Sequence, residues 1–153
     1  MRIAQTRLSI ATAPREIKEI TAEVARWVEH QPIASGLLTV YLPHTSASLL
    51  IQENASPDVL RDLDTFLRRL VPEDVALYRH NDEGPDDMPA HIKSALTQTQ
   101  LTIPVTDGRI QLGVWQGILL LEHRASPHTR SLVLTLVGED HDHPPADARL
   151  RHA

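Results

Sequence analysis

The sequence predicts a single compact α+β domain, with a mixed or mostly antiparallel sheet and helices packed on it. Its 153 residues are the usual length of one domain. Segments in which apolar and polar residues alternate, as in strands, outnumber the segments with helical spacing. Short turn sequences such as Asp107-Gly108 separate several of these segments, and strands joined by hairpins are antiparallel. No internal repeat and no linker divides the chain.

The first third of the chain predicts a strand, a helix and two further strands. Alternation over residues 2–11 is typical of a strand. A helix then opens at Pro14. Its expected buried face comprises Ile17, Ile20, Val24, Trp27 and Val28. We expect Ser35-Gly36 to turn the chain into strands over residues 37–42 and 47–52.

Two helices with recognisable first residues are predicted next. Ser56 caps the first, and Pro57 occupies its first position. The inner stripe of this helix comprises Leu60, Leu63, Leu67 and Leu70. Asp86 or Asp87 caps the second helix, and Pro89 fits its first turn. The expected apolar stripe of the second helix comprises Met88, Ile92, Ala95 and Leu96.

The remaining sequence predicts strands over residues 101–105, 109–114, 117–124 and 131–137. Pro104 has no amide hydrogen, which places the first of these strands at a sheet edge or a bulge. From residue 138 the composition becomes acidic and rich in histidine and proline. We therefore predict a folded domain over residues 1–138 and a flexible, acidic, His-containing tail over residues 139–153.

Composition argues against several classes of function. A net charge of −5 and an aromatic content of 3% disfavour nucleic-acid binding, which relies on basic surfaces and stacking aromatic rings. The absence of cysteine excludes disulfides, thiolate zinc sites and Cys nucleophiles, and it suits the cytoplasm. No apolar run approaches the roughly 20 residues of a membrane span. We expect a cytoplasmic protein that acts on a small molecule and binds neither nucleic acid nor membranes.

Residues 80–93 hold the densest group of reactive side chains: two His, one Glu, three Asp and one Lys. One Gly and two Pro interrupt the segment, so its first part is predicted to be a loop. Carboxylates and imidazoles crowded into a loop are useful mainly when a cation or polar ligand lies among them. A solvated acidic loop followed by a capped helix is the alternative interpretation.

Three histidines from separate elements are candidate metal ligands. His44 follows a strand, His80 opens the loop, and His91 lies in the first turn of the following helix. The carboxylates that could join them are Asp87, Glu83 and Glu122. Three His, or two His and a carboxylate, with an open position are typical of catalytic zinc sites. We expect His44, His80 and His91 to bind one divalent metal ion, zinc-like by its ligands, with magnesium also possible.

Two further polar pairs lie at or near strand ends. Glu122 and Arg124 share one face of an otherwise apolar strand, because their spacing is two. A carboxylate in such a strand is costly unless it is paired or used, so Glu122 either forms a structural ion pair or takes part in chemistry. Glu53 and Asn54 follow the strand over residues 47–52.

Several segments resemble one known family: residues 44–49, 53–55, 84–94, 112–118 and 122–124. They resemble the secondary thiamine-phosphate synthase family of YjbQ-like proteins, and the resemblance spans about residues 5–138. It implies a compact α+β fold, a homotrimer, and a metal ion bound among the histidines and acids of these motifs. It also implies a weak, secondary ability to join hydroxymethylpyrimidine diphosphate to thiazole phosphate with release of pyrophosphate.

These motifs and the charges of such a reaction define the expected site residues. Catalytic roles are expected for Glu122, Asp87, Glu53 and Asn54. Substrate contacts are expected for Arg124, Lys93, Ser46, Gln116 and Arg109. Arg109, Arg124 and Lys93 are the candidates for phosphate groups, which cationic side chains bind.

The sequence also keeps two other functions open. Imidazole ligands suit zinc or a similar transition metal better than magnesium, and a His-ligated metal fits hydrolysis of a small phosphorylated or amide substrate. A non-catalytic trimer that binds a metal or a small molecule is the third candidate. We expect an enzyme, most similar to a thiamine-phosphate synthase-like transferase.

Overall fold

Two antiparallel sheets and three α-helices make up residues 1–140, the part of the chain that the computed structural model describes. The strands are β1 (Arg2–Thr12), β2 (Ile17–Glu19), β3 (Ile33–Tyr41), β4 (Ala47–Glu53), β5 (Gln100–Thr106), β6 (Arg109–Ile110), β7 (Gln116–Glu122) and β8 (His128–Asp140). The helices are α1 (Thr21–Glu29), α2 (Pro57–Leu70) and α3 (Asp87–Leu96), with a short 3-10 helix at Val75–Leu77. The predicted α+β class is confirmed.

One apolar core lies between the two sheets. The five-stranded sheet has the order β1-β8-β3-β5-β6 and the three-stranded sheet the order β2-β7-β4, with antiparallel neighbours throughout. Alternation along β8 directs Leu132, Leu134 and Leu136 into this core, where Leu120 of β7 joins them. Burying each of these leucines contributes about 1.5–3 kcal/mol, so apolar contact between the sheets stabilises the fold.

Strands β3 and β8 approach each other closely at Gly36, a position at which the sequence predicted a turn. Gly36 lies within β3 opposite Gly138 of β8, and a Cβ at Gly36 would stand 2.1 Å from the carbonyl oxygen of Val137. A Cβ at Gly138 would stand 2.0 Å from the carbonyl oxygen of Ser35. The glycines therefore allow close approach of two backbones, and the predicted turn at Ser35-Gly36 is wrong.

The first helix begins later than the sequence predicted. Ile17 belongs to β2 and pairs with Leu121 of β7, and α1 begins at Thr21. Its inward face still follows the prediction, because Val24 and Val28 are fully buried. A β-branched residue suits the short strand that pairs with β7, and helical spacing alone could not reveal that pairing.

Helix α2 has the predicted first residues but little of the predicted burial. The Ser56 hydroxyl accepts a hydrogen bond from the amide of Asp58 at 3.3 Å, and Pro57 is the first helical residue. No residue of this helix is fully buried, and Leu70 is 55% exposed. The helix lies over the outer face of the three-stranded sheet, where Leu67 and Leu121 border a small cavity.

Helix α3 buries a different face from the predicted apolar stripe. The buried residues are Asp87, Pro89, Ala90 and Lys93. The predicted stripe of Met88, Ile92, Ala95 and Leu96 is half-buried or exposed, with Leu96 57% exposed. Asp86 occupies the N-cap position without a side-chain capping bond. Polar contacts together with burial of Pro89 and Ala90 therefore fix the orientation of this helix.

The C-terminal strands differ from the prediction mainly in length. β6 ends at Ile110, well before residue 114, while β8 runs through Asp140, so residues 139 and 140 of the predicted tail lie in a strand. Residues 141–153 of that tail fall outside the described part. Asp107 and Gly108 have φ angles of 51° and 71°, as the predicted hairpin turn requires. No helix within residues 1–140 is long and apolar enough to cross a membrane.

Candidate metal and substrate site

Most of the predicted site residues lie at one end of the two-sheet structure. At this end Ala47 of β4 pairs with Glu122 of β7, and β1 ends at Thr12 beside the beginning of β8. Helix α3 meets the same end, where the Ser94 hydroxyl donates a hydrogen bond to the Ala47 carbonyl at 2.8 Å. The loop before α3 can therefore fold over the rim of both sheets.

His80, Asp87 and His91 come together on this loop and the first turns of α3. The Nε2 atom of His80 lies 2.7 Å from Oδ2 of Asp87, and Nε2 of His91 lies 3.1 Å from the same oxygen. The ligand atoms of the three residues all lie within 4.8 Å of one another. His91 and Asp87 are four residues apart on one helix face, and the irregular loop carries His80 back to them.

The hydrogen bonds of His91 fix which nitrogen is available. Its Nδ1 lies 2.8 Å from the carbonyl oxygen of Thr45, which can only accept, so Nδ1 carries a proton. In a neutral imidazole Nε2 then carries a lone pair and no proton. This nitrogen faces the carboxylate oxygen of Asp87 at 3.1 Å. Two lone pairs at that distance repel, so a proton or a metal ion belongs between them. The pair has the geometry to hold a metal ion in place of that proton.

Arg124 holds the other side of the same carboxylate. Its Nη1 lies 3.0 Å from Oδ1 of Asp87, its Nε donates to Asp86 at 2.9 Å, and its Nη2 donates to the carbonyl of Glu83 at 3.0 Å. Burial by itself would raise the pKa of Asp87, but the His80 hydrogen bond and the charges of His91 and Arg124 outweigh it and lower that pKa. Asp87 is therefore an ionised, oriented carboxylate.

The three side chains fit a divalent transition metal. Nitrogen and oxygen ligands about 2.0–2.1 Å from a tetrahedral ion lie roughly 3.3 Å from one another. The distances of 2.7 and 3.1 Å to the Asp87 oxygen would have to lengthen by about 0.6 and about 0.2 Å. Two imidazoles and one carboxylate leave at least one coordination position for water or substrate. The ion-pair contact of Arg124 with Asp87 supplies the outer support that metal-binding carboxylates usually have.

His44 lies near this group but is not part of it in the described residues. Its Nε2 accepts a hydrogen bond from the amide of Ser131 at 2.9 Å, and its Nδ1 lies 3.5 Å from Nη1 of Arg130. Burial and the Arg130 charge lower the pKa of His44, which favours a neutral ring. His44 as a third metal ligand stays a prediction, one that requires a ring rotation or a second subunit.

An open cleft adjoins the three-residue group. It has a volume of about 500 Å³ and is lined by His44, Thr45, His91, Ser94, Ala95 and Thr99. His44 and His91 thus border the same space, with one imidazole from each of two elements. A small substrate bound there would meet the His91 side of the group.

Glu122 lies deeper, in a buried ion pair with Arg130. Arg130 donates to both carboxylate oxygens, at 2.5 and 2.7 Å, and the Thr12 hydroxyl donates at 2.7 Å. The amide of Arg124 donates a fourth bond at 3.0 Å. Burial by itself would raise the pKa of Glu122, but the Arg130 and Thr12 bonds outweigh it and lower that pKa. The expected alternative of an ion pair holds for Glu122, with Arg130 instead of Arg124 as its partner.

Two other polar residues at this end are also fully engaged. Ser46, predicted to contact substrate, accepts hydrogen bonds from Arg130 at its hydroxyl and its carbonyl, at 3.0 and 3.2 Å. Buried His123 has Nε2 2.8 Å from the hydroxyl of fully buried Ser48. Burial, then the charge of Lys93, lower the pKa of His123 to about 4. The His123–Ser48 pair is neutral and closed to solvent.

The other predicted site residues lie elsewhere in the chain. Glu53 pairs with Gln116 at the far end of β4 and β7, six residues along from Ala47 and thus roughly 20 Å away. Asn54 follows Glu53 and lies against Gly117 at that same end. Arg109 begins β6 beyond the Asp107-Gly108 turn. Within one chain these residues do not reach the His80–Asp87–His91 group.

Arg130, His123 and Asp86 lie at the site but were not predicted from the sequence. Arg130 shares the period-2 pattern of Leu132 and Leu134, which places its side chain on the buried face of β8. That position could have been identified as the counter-charge for Glu122. Asp86 was considered only as a helix cap, whereas its carboxylate accepts from Arg124 and from the amide of Ala125 at 2.8 Å.

Comparison with known proteins gives one consistent family. The family model described as UPF0047 protein YjbQ-like matches residues 6–139. A UPF0047 protein of Synechocystis sp. is 52% identical over 132 residues, 86% of this chain and 90% of that protein. UPF0047 protein YjbQ of Escherichia coli O157:H7 is 43% identical over 136 residues, 88% of this chain and 98% of that protein.

Solved structures resemble the fold over nearly the same span. A hypothetical protein from Aeropyrum pernix K1 superposes with a TM-score of 0.81 and 31% identity, covering 89% of this chain and 99% of that one. A YbjQ-like protein of unknown function from Sulfolobus solfataricus P2 gives a TM-score of 0.82 at 22% identity, covering 90% and 99%. The second match shows a common fold alone.

Proposed function

We propose a function for this chain, which belongs to the UPF0047 family of YjbQ-like proteins. In this proposal it is an enzyme that binds a divalent metal ion at His80, Asp87 and His91 and acts on a small phosphorylated substrate. The observation that carries the proposal is the facing pair of His91 Nε2 and Asp87 Oδ2, whose lone pairs require a proton or a metal ion between them.

The chain's own groups prepare this site in three ways. The Thr45 carbonyl holds the proton of His91 on Nδ1 and leaves Nε2 free for a ligand bond. Arg124 keeps Asp87 ionised and oriented. The cleft beside His91 has room for a small organic molecule, with the imidazole of His44 and the hydroxyl of Ser94 in its wall. A divalent ion, when bound, would neutralise charge that develops on a phosphate or diphosphate group.

The first reaction to test is the one that the sequence resemblance implies. Thiamine phosphate formation makes a carbon–nitrogen bond between a hydroxymethylpyrimidine and a thiazole phosphate, and it breaks the carbon–oxygen bond to pyrophosphate. The leaving diphosphate needs cationic partners, and the developing pyrimidine cation needs stabilisation. Asp87 and the imidazoles supply the site for the ion, and Arg124 lies directly behind it.

Hydrolysis of a phosphorylated or amide substrate is the second candidate. It is favoured by the ligand set itself, since two imidazoles and one carboxylate resemble the ligands of zinc hydrolases more than those of magnesium enzymes. A trimer that binds metal or small molecules without catalysis is the third. These candidates share the same ion site and differ in turnover.

Metal analysis of purified protein tests the shared part of the proposal. After incubation with zinc, manganese or magnesium and removal of excess ion, we expect one divalent ion per wild-type chain. Asp87→Asn and His91→Gln should each lower the affinity by about 10–100-fold or more, the usual cost of disturbing a ligand or its support. Asp82→Asn, an exposed acid in the same loop, is the matched control and should retain the ion.

The reaction is tested on the metal-loaded protein with both thiamine precursors, and separately with phosphomonoester and amide substrates. Turnover that depends on the metal and falls in Asp87→Asn supports an enzyme and identifies which reaction it performs. Metal binding without any turnover leaves the non-catalytic candidate. A wild-type chain that binds no divalent ion contradicts both enzyme candidates and leaves only a trimer that binds small molecules.

A further inference from the structure

A second polar cleft lies on a different side of α3 from the metal residues. Lys93 is two residues beyond His91, which places it about 200° around the helix. The cleft has a volume of about 330 Å³, and its lining comprises Arg15, Arg68, Val71, Pro72, Glu73 and Lys93. It opens between α3, the last turn of α2 and the segment after β1.

Lys93 is the unusual member of this lining. It is only 5% exposed, yet no carboxylate within residues 1–140 lies within ion-pair distance of its ammonium and no hydrogen bond engages it. Lys93 also lines the small cavity bordered by His123 and Glu122, so it stands between that interior and the open cleft. Its Nζ retains some contact with solvent, but an ammonium so largely withdrawn from water is normally paired or coordinated.

The two acids whose charges act on Lys93, Glu73 and Asp64, are already engaged by other cations. Both oxygens of Glu73 accept from Nη2 of Arg15, at 2.6 and 2.7 Å. Oδ2 of Asp64 lies 2.8 Å from Nε of Arg68, which leaves the terminal nitrogens of Arg68 without a partner in the described part of the chain. Three cations and two acids therefore gather here, with one positive charge in excess.

We propose that this cleft binds the phosphate group of a small phosphate monoester, held between the Lys93 ammonium and the free terminal nitrogens of Arg68. A guanidinium fork and an ammonium match a tetrahedral oxyanion in both charge and hydrogen-bond geometry. Val71 and Pro72 provide an apolar wall, and the volume exceeds what a phosphate alone would fill, so an organic group fits beside it. This site does not depend on the metal centre.

The electrostatics of the cleft agree with an anion site. Burial lowers the pKa of Lys93, Glu73 raises it, and the charges of Arg68 and Arg15 lower it. An anion placed between Lys93 and Arg68 would offset the repulsion between these cations. Glu73 opposes an incoming anion only weakly, because Arg15 occupies both of its oxygens.

Calorimetric titration of the full chain tests the proposal, with inorganic phosphate and glycerol 3-phosphate as probes. A chelator is present throughout, so that no metal ion can supply a phosphate ligand and the outcome is separate from that of the proposed metal centre. We expect one saturable site with a Kd at or below about 1 mM, tighter for the monoester than for inorganic phosphate.

Variants assign the binding to the cleft. Lys93→Met and Arg68→Gln should each weaken glycerol 3-phosphate binding by about tenfold or more, the usual effect of removing a charge-assisted contact. Arg69→Gln changes the same net charge in the same turn of α2 but does not line the cleft, and its affinity should stay within about twofold. Arg68 is half-exposed, so its variant tests binding even if Lys93→Met alters the fold.

Three results would overturn the assignment. They are the absence of saturable binding to the chelated wild-type chain, an unchanged affinity in Arg68→Gln, or an equal loss in Arg69→Gln. Equal affinities for inorganic phosphate and the monoester would contradict the proposed contact between the organic group and the apolar wall. The cleft would then be a site for inorganic phosphate. Each result stands whether or not the chain binds a metal ion.

Discussion

Glu122 and Arg130 illustrate how one buried charge can be either structural or catalytic. Arg130 donates two bonds and Thr12 one to a carboxylate whose side chain is fully buried. The folded-state pKa of Glu122 is lowered, so its contribution to stability is present above pH 4.5 and is lost as the pH falls through the folded-state pKa. A base that accepts so many bonds has little capacity left for a substrate proton.

Glu122→Gln tests the structural role directly. The change leaves the Arg130 charge buried without a counter-ion, and breaking a buried pair in this way costs about 3–5 kcal/mol of unfolding free energy. Urea unfolding at pH 7 measures the loss. Asp58→Asn, which breaks the exposed pair with Arg61, is the control and should cost about 1 kcal/mol or less.

Replacing both partners separates the two roles of Glu122. In Glu122→Leu/Arg130→Met no charge is left unpaired, so most of the stability should return. A stable double variant that retains turnover assigns Glu122 a structural role, whereas a stable double variant without turnover supports the predicted catalytic role. A Glu122→Gln protein as stable as the wild type would contradict the ion-pair account.

The lowered pKa of buried His123 predicts that the stability of the protein depends on pH. Its folded-state pKa of about 4 is below the ordinary 6.5, so the unfolded chain binds this proton more tightly than the native one. Stability is therefore unaffected above pH 6.5 and falls as the pH drops from 6.5 towards 4. Linkage gives a loss of about 2 kcal/mol between pH 7 and pH 5 from this residue.

His123→Gln should remove most of that loss, because the amide can still reach Ser48 but does not titrate in this range. Denaturant unfolding at both pH values measures the difference. His44, whose pKa is also lowered, leaves a smaller slope of the same sign. A His123→Gln slope equal to that of the wild type would refute the assignment.

Individual strands and helices show which parts of the fold can be predicted from the sequence. The predicted β4, β5 and β7 and the first residues of α2 were found close to their predicted places, because alternation and capping residues act locally. The turn at Ser35-Gly36 was not found, because Gly36 serves a close contact with Gly138, about a hundred residues away along the chain. A glycine alone does not show whether it bends a chain or admits a neighbour.

Helix α3 shows why the site was only partly foreseeable. Its residues Asp87 and His91 were identified from their types, and helical spacing places them on one face. The side that faces the protein was not identified, since Asp87 and Lys93 are buried while Leu96 is exposed. Arg124, which lies far along the chain, makes burial of Asp87 tolerable, and local spacing could not reveal that contact.

At the scale of the whole molecule, the predicted site residues divide between two ends. His80, Asp87 and His91 lie at one end, and Glu53 and Gln116 lie roughly 20 Å away at the other. A single chain cannot bring these groups to one substrate. If both ends contribute to one site, the second contribution has to come from a neighbouring subunit, as the proposed homotrimer would allow.

The outer face of the five-stranded sheet offers a surface for such contacts. One apolar row runs across four adjacent strands, through Ile3, Val137, Leu37 and Pro104. Ile3 is 71% exposed and Leu37 is 54% exposed, and Tyr41 on the same face of β3 is 43% exposed. No helix within residues 1–140 covers these side chains, and an uncovered apolar sheet face is typical of a protein–protein contact.

Leu37→Lys tests whether this face joins copies of the chain. The wild-type chain of 17.1 kDa should scatter light as a particle of about three times that mass at micromolar concentration. The lysine places a charge at the centre of the apolar row, where burial between subunits is costly, so the variant should shift towards monomer. Phe66→Lys, at an apolar position on α2 that is 62% exposed, is the control and should keep the wild-type mass. A monomeric wild-type chain would contradict the trimer. An unchanged mass in Leu37→Lys would assign the contact to another surface, because a charge on a buried contact residue lowers affinity whereas one on free surface does not.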